Sequence, residues 1–344
     1  MTASEARALA ATAAVALAGA GLFWALGFPA ASLTGPAAAV TVAALAGLRV
    51  TVPVWVRVPA FALLGINIGA GVTPDTLGRA LAWPVSIAIL AASLVGGMVV
   101  ARAGLERWLG YDRRSATLAA APGHLSFAIG LAMETGADTT RVAMVQSIRV
   151  LFLTLCVPVI VAGLFGATGL AVLPETAMRP RDLALTLAVS LVLGAGLARL
   201  SVPAAYLLAG MTVSALGHGT GLTPGRMPEG VTVAAFLVMG TMIGSRFAGL
   251  GPRDVAQGLA AGAWVTAVTM VFAVLAVVAA MAALGMAPAL LIVAYAPGGV
   301  EAMAAIAVTL GLDPAFVATH HVLRLLLLTA IIPALLPGRR TAER

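Results

Sequence analysis

Lysine is absent from this 344-residue chain: all twenty basic side chains are arginines. Charge of either sign is scarce, at 10% of residues, against about 25% in soluble domains. Such a chain cannot cover a water-facing globule with solvated side chains, which excludes a soluble enzyme or soluble regulator as its main body. The single cysteine, Cys156, excludes an intramolecular disulfide and, alone, a thiolate metal site. There are four histidines, and only His320 and His321 lie close together. Neighbours on a helix diverge by about 100°, so they make poor joint ligands for the copper or iron that an oxidation centre needs. No metal and no cofactor is expected. The net charge of +7 invites nucleic acid, but the arginines are scattered over many short loops. The positive-inside rule produces that scatter, whereas a DNA-binding domain gathers its charge on one face.

What is present is apolar sequence: 61% hydrophobic residues and a mean hydropathy of +1.06. The length leaves room for roughly ten to twelve spans of about 20 residues. Apolar runs occupy 9–28, 30–48, 54–72, 83–103, 115–135, 140–166, 183–199, 203–217, 231–245, 255–285, 288–310 and 315–336. The first is long for a signal-peptide core and reads as a span that is kept. The expected partner is the lipid bilayer, and the expected location a bacterial inner (plasma) membrane crossed many times. A homo-oligomer is compatible with this reading, and nucleic acid is not an expected partner.

An internal repeat organises these runs. A shift of 175 residues lays 121–158 on 296–333 and matches Pro122, Gly123, Gly136, Asp138, Arg149 and Pro158 to Pro297, Gly298, Gly311, Asp313, Arg324 and Pro333. Apolar composition aligns alanines and leucines by accident, but not two prolines, two glycines, an aspartate and an arginine. The same shift matches Gly65 and Gly69 to Gly240 and Gly244, and Pro29-Ala30-Ala31 answers Pro203-Ala204-Ala205 after a one-residue slip. The halves are read as 1–170 and 180–338, followed by a cytoplasmic tail at 339–344.

The fifth run of each half is broken by Pro-Gly, at Pro122-Gly123 and Pro297-Gly298. Each break is either a kinked span or a hairpin that re-enters the membrane. Two crossings give twelve transmembrane helices and parallel halves. Two hairpins give five helices per half and inverted halves. Loop charge favours the second: Arg102, Arg107, Arg113 and Arg114 precede the first break, whereas 286–289 hold no charge. Equivalent loops of opposite charge character are what inversion predicts. The expected fold is therefore all-α integral membrane, two inverted repeats of five helices plus a re-entrant hairpin each.

Asp138 and Asp313 read as N-caps of the sixth run in each half. Arg149 and Arg324 lie eleven residues beyond them, roughly 16 Å deep at about 1.5 Å per residue, near the centre of the bilayer. A charge at that depth costs several kcal/mol without a partner or a cavity and is a functional candidate by default. Gln146, and His320 with His321, lie one turn earlier on the same helix face. Glu301 is a candidate ion-pair partner for Arg324. A half-helix starting after Gly123 or Gly298 aims unpaired amides and a positive dipole end into the membrane, with His124, Ser126 and Gly299 in its first turn. Together these residues outline a compact cationic site for a small anion such as a carboxylate. Glu301 and the histidines exchange protons near neutral pH, which leaves proton coupling open.

The segments Ala121-Pro122-Gly123, Gly136-Ala137-Asp138 and Gln146-Ser147-Ile148-Arg149, with Ala296-Pro297-Gly298-Gly299, Gly311-Leu312-Asp313 and His320-His321-Val322-Leu323-Arg324, resemble the duplicated membrane AbrB family over nearly the full chain. That family is distinct in fold from the small DNA-binding regulator of the same name. The first half departs from its pattern at His124, where a second glycine is usual, and at Phe127, where an acidic residue is usual. The resemblance implies an architecture similar to inverted-repeat transporters of organic anions, whereas family labels such as ammonia monooxygenase find no support in these residues. The leading expectation is a secondary transporter of a small organic or other anion, and not an enzyme. An indirect role in regulation of gene expression is the alternative.

Overall fold

The computed structural model describes residues 2–71, 83–123, 125–166 and 176–336. The expected tail at 339–344 and the His124 position lie outside them. The described residues form fourteen helices and no β-strand. In the first half these are α1 (Ala3–Ala25), α2 (Ala31–Leu45), α3 (Val54–Gly69), α4 (Trp83–Leu109), α5 (Arg113–Ala120), α6 (Leu125–Thr135) and α7 (Thr139–Phe165). The second half supplies α8 (Pro180–Arg199), α9 (Ala205–Gly219), α10 (Glu229–Ser245), α11 (Pro252–Leu284), α12 (Pro288–Tyr295), α13 (Val300–Thr309) and α14 (Pro314–Leu335). Six of them, α1, α4, α7, α8, α11 and α14, are long and apolar enough to cross a membrane.

Capping fixes where the key helices begin. The Asp138 carboxylate accepts from the Arg141 amide at 3.0 Å and opens α7. The Asp313 carboxylate accepts from Ala315 and Phe316, each at 3.0 Å, and opens α14 with Pro314 in its first turn. Each cap satisfies amides that would otherwise have no partner, and is worth about 1 kcal/mol.

The two halves repeat each other element by element. Ala30 and Ala204, the residues that precede α2 and α9, both adopt the left-handed conformation, at φ 54° and 52°. Contacts repeat as well: α1 packs on α2 as α8 packs on α9, and α2 meets α10 as α3 meets α9.

Glycines set these crossings. A side chain at Gly65 or Gly69 of α3 would strike the Leu207 or Met211 carbonyl of α9. One at Gly240 or Gly244 of α10 would press on the Leu33 or Ala37 carbonyl of α2. Only hydrogen in place of a methyl lets backbones approach this closely, which is how helices associate where lipid removes the hydrophobic drive. Both pairs advance four residues together, so α3 runs parallel to α9, and α10 parallel to α2. The long homologous helices α4 and α11 run antiparallel: Gly104 faces Trp264 whereas Gly96 faces Phe272. The Trp264 indole N–H donates to the Ala101 carbonyl at 3.0 Å across that seam.

The broken segments are short. At about 1.5 Å per residue, α5 and α12 extend roughly 12 Å, less than half of a hydrocarbon core of about 30 Å. In the first, Arg114 Nη1 donates to the Thr135 carbonyl at 2.9 Å, and the Asp138 amide donates to Ser115 Oγ at 2.8 Å. The start of α5 and the end of α6 therefore lie side by side.

Replacing Gly65 with leucine forces α3 away from α9. We expect a loss of about 1–3 kcal/mol, the usual cost of overpacking, read as a lower midpoint of thermal unfolding in detergent. Gly21→Leu, at a position with open space around it, is expected to leave the midpoint unchanged.

Candidate functional site

Breaking a helix inside lipid leaves carbonyls without their intrahelical donors. In the second half, Arg324 on α14 answers for two of them: Nη1 donates to the Ala296 carbonyl at 2.7 Å, and Nη2 donates to the Gly298 carbonyl. One turn earlier on α14, His321 Nε2 donates to the Val293 carbonyl of α12 at 3.0 Å. That bond fixes the tautomer, because a carbonyl only accepts, and it leaves buried Nδ1 as an acceptor without a partner. Gln146 occupies the equivalent place in the first half, and its Nε2 donates to the Leu118 carbonyl of α5 at 3.0 Å. A glutamine and a histidine thus make the same bond in the two copies.

The arginines do not behave alike. Arg149 is fully buried on α7, and Nε, Nη1 and Nη2 all lack a hydrogen-bond partner. Equivalence with Arg324 would place its donors on the Ala121 and Gly123 carbonyls. It makes neither bond. Arg324 meanwhile faces both breaks, since a side chain at Gly123 would lie 3.6 Å from its Nη2. Gly123 itself sits at φ 105°, a conformation suited to glycine.

Between the breaks lies a cavity of about 660 Å3. Its walls include Gly123, Gln146, Gly298, Gly299 and Glu301, all expected from sequence, together with Arg57, Arg246, Thr51 and Ser245, which sequence reasoning assigned to loops or missed. Gly299 caps α13 with no side-chain bond to the first-turn amides, and Gly299, Val300 and Glu301 all face the cavity. Open helix N-termini of this kind receive anions. Arg149 adjoins the cavity, because Gln146 and Val150 on its helix line it, and it feels the charges of Arg324 and Arg246.

Other expected residues sit elsewhere. Pro122 and Pro297 are buried in the turns and shape them. His320 points away from the cavity: Nδ1–H donates to the Phe316 carbonyl at 2.9 Å, while Nε2 lies 2.8 Å from Ser86 Oγ on α4. Ser86 Oγ is also 2.7 Å from the Tyr295 hydroxyl. The expected Glu301–Arg324 ion pair is replaced by the two carbonyl bonds, which take both terminal nitrogens of the guanidinium. The Ser126 side chain, like His124, lies outside the described residues. Among those residues no group of three His, Cys, Asp or Glu side chains is placed to hold a metal.

The signal that would have found Arg57 and Arg246 was the repeat itself. Their equivalents at a shift of 175 are Thr232 and Gly71. The repeat flags them as unmatched charges, but arginines placed by the positive-inside rule are one-sided too, so their place in the cavity wall is what singles these two out.

The family described as "Transition state regulatory protein AbrB" matches residues 33–337. "Putative regulator AbrB" of Escherichia coli (strain K12) is 28% identical over 229 residues, covering 65% of this chain and 66% of that protein. "Uncharacterized protein YhjN" of Bacillus subtilis (strain 168) is 30% identical over 252 residues, 67% of this chain and 64% of that protein. The chain thus spans just under two thirds of the length of these curated relatives.

The unequal bonding of the two arginines has an expected signature in stability. Arg324→Met leaves the buried Gly298 carbonyl without a donor and the Ala296 carbonyl with the Gly298 amide alone, and is expected to cost about 1.5–3 kcal/mol per lost charged bond. Arg149→Met removes an unpaired buried charge and is expected to be neutral or stabilising. Thermal midpoints in detergent check the order, with Arg149→Met at or above wild type and Arg324→Met below it.

Proposed function

The chain belongs to the membrane AbrB family, and from that premise we propose that it is a secondary transporter of a small organic anion. The observation that carries this reading is Arg149: a guanidinium with three unpaired nitrogens, buried beside a cavity where two interrupted helices meet. A buried cation costs several kcal/mol unless an anion joins it. A carboxylate entering the cavity would supply that partner.

The architecture proposed is two inverted halves of five spans, each with a re-entrant hairpin. Support comes from helix directions. Homologous α4 and α11 run antiparallel, and α2 and α10 run together although α10 is the homologue of α3. The Asn67 amide on the last turn of α3 bonds Thr232 in the first turn of α10, so α3 opposes both α10 and α2. Halves related by an axis along the membrane normal would instead keep homologous helices parallel. The short arms of each break, and the meeting of Arg114 with Thr135, favour re-entry over crossing.

A second cavity of about 720 Å3, lined by Glu5, Arg49 and Gly251 among others, shares Val50 and Thr51 with the first. This face carries Arg7, Arg49, Arg57 and Arg246, which the positive-inside rule assigns to the cytoplasm in a bacterial inner membrane. The cavity then opens inward, while the Asn67–Thr232 bond at 3.3 Å lies toward the opposite end of α3. In the outward-open state of this scheme, Arg149 takes the Ala121 and Gly123 carbonyls and Arg324 releases its own. A regulatory role, the word in the Escherichia coli relative's name, would follow indirectly as a change in gene expression caused by an altered metabolite pool.

Flux into proteoliposomes tests the proposal. The wild-type protein is expected to move at least one of a panel of radiolabelled organic acids, and Arg149→Ala to slow the initial rate at least tenfold at equal insertion. Correctly inserted wild-type protein that moves none of the acids would sink the transport reading.

A further inference from the structure

Resting on the transport reading above, we infer that the cargo is amphoteric: an amino acid or a close amino-carboxylate, recognised through its amino group as well as its acid group. The cavity holds charges of both signs. Arg57 and Arg246 supply cations, and Glu301 supplies a carboxylate. Among the described residues, the ion pairs within 4 Å are Arg102–Glu106 and Asp138–Arg141. Glu301 and Arg246 therefore stand more than a contact apart, although each lies in the other's field. Opposite charges that share a poorly solvated space gain by closing to contact. Held apart across a cavity, they match a ligand whose own charges are separated.

Glu301 lies in the first turn of α13 and makes no ion pair within 4 Å among the described residues. Its expected partner Arg324 commits both terminal nitrogens to the Ala296 and Gly298 carbonyls. Glu301 instead folds over the turn, with Oε2 3.0 Å from the position a side chain at Gly299 would fill. The carboxylate is thus presented beside the open first-turn amides of α13. A ligand that is only an anion would meet this negative charge at the very turn whose amides attract it. An α-amino acid resolves the conflict: its carboxylate takes the amides and the Arg246 guanidinium and offsets the charge of Arg149 beside them, and its ammonium takes Glu301. A side chain at 299 would press on the Glu301 carboxylate and shift it by a few tenths of an ångström.

The repeat gives independent support. The equivalents of Glu301, Arg246 and Arg57 are Ser126, Gly71 and Thr232. Residues that only hold the duplicated fold together, such as Asp138 with Asp313, recur in both halves. Glu301 does not recur, as expected for a group selected by an asymmetric ligand, whereas the one-sided arginines also follow from the positive-inside rule. At about 660 Å3 the cavity falls within the range of small-molecule sites.

The test is binding to the purified full chain in detergent, by calorimetry, using acids paired with and without the amino group. The pairs are alanine with propionate, leucine with 4-methylpentanoate, aspartate with succinate, and glutamate with glutarate. In at least one pair the amino member is expected to bind at least tenfold more tightly. Glu301→Gln should bring that ratio to about one, weakening the amino member while the amino-free member binds as well as or more tightly than before. Arg246→Gln should weaken both members. Equal or tighter binding of the amino-free member in every pair overturns the inference and leaves anion transport standing, as does a preference that survives Glu301→Gln. If wild-type protein with an unaltered thermal transition binds none of the eight acids, the inference and the anion site both fall.

Discussion

A carbonyl left without a donor in the middle of a bilayer cannot turn to water, so a helix broken there survives only if another group reaches it. In this chain that group is a guanidinium from the neighbouring helix. Arg324 reaches the Ala296 and Gly298 carbonyls, and in doing so lies against Gly123 of the other break. The interaction solves two problems together. The carbonyls gain donors, and a charge that is costly in hydrocarbon gains acceptors. His321 and Gln146 extend the solution one turn further from each break, onto Val293 and Leu118.

Around this centre the chain separates two kinds of packing. Where α3 meets α9 and α2 meets α10, glycines bring backbone against backbone and leave little room to slide. Against the breaks the contacts run through side chains, many of them alanine, such as Ala116, Ala119 and Ala120 in the first and Ala302, Ala304 and Ala305 in the second. The first hairpin packs with α4 and α11 in one cluster, and the second shares another with α14 and with the seam helices α2, α3, α9 and α10. The glycine seams form a frame, and the hairpins are bodies resting on it. A cavity at the boundary of frame and hairpins changes shape whenever one moves against the other. Arg57 and Arg246 reach it from the frame, and Gly123 and Glu301 from the hairpins.

Much of this was legible in the residues. The duplication, the aspartate caps and the two breaks all rest on glycine, proline or aspartate, residues that demand a particular backbone. The burial of Arg149 and Arg324 agrees with their place midway along an apolar helix. What escaped was set by partners distant in sequence. Helical spacing placed His320 beside Arg324, but the direction of its ring was decided by Ser86 and Tyr295, more than two hundred positions and twenty-five positions away respectively. The Glu301–Arg324 pair was a sound expectation from charge alone, and it lost to carbonyls that become acceptors only once the helix is broken. Arg57 and Arg246 looked like any loop arginine. Only folding brings the first turn of α3 and the end of α10 to the same cavity.

The difference between Arg149 and Arg324 also bears on how two conformations could share one sequence. A carrier needs its inward-open and outward-open states within a few kcal/mol of each other, or one state is never visited. The bonds of Arg324 to the second break are each worth about 1.5–3 kcal/mol, enough to lock the protein if their loss went uncompensated. Duplication removes the difficulty when Arg149 forms the same two bonds in the opposite state, because one pair is exchanged for another of like geometry and the sum changes little. The unpaired guanidinium then has a physical reason to persist. In the proposed transport cycle it is the vacant half of an exchange, costly where it stands, and an anion that relieved the cost in one state would be displaced by carbonyls in the other.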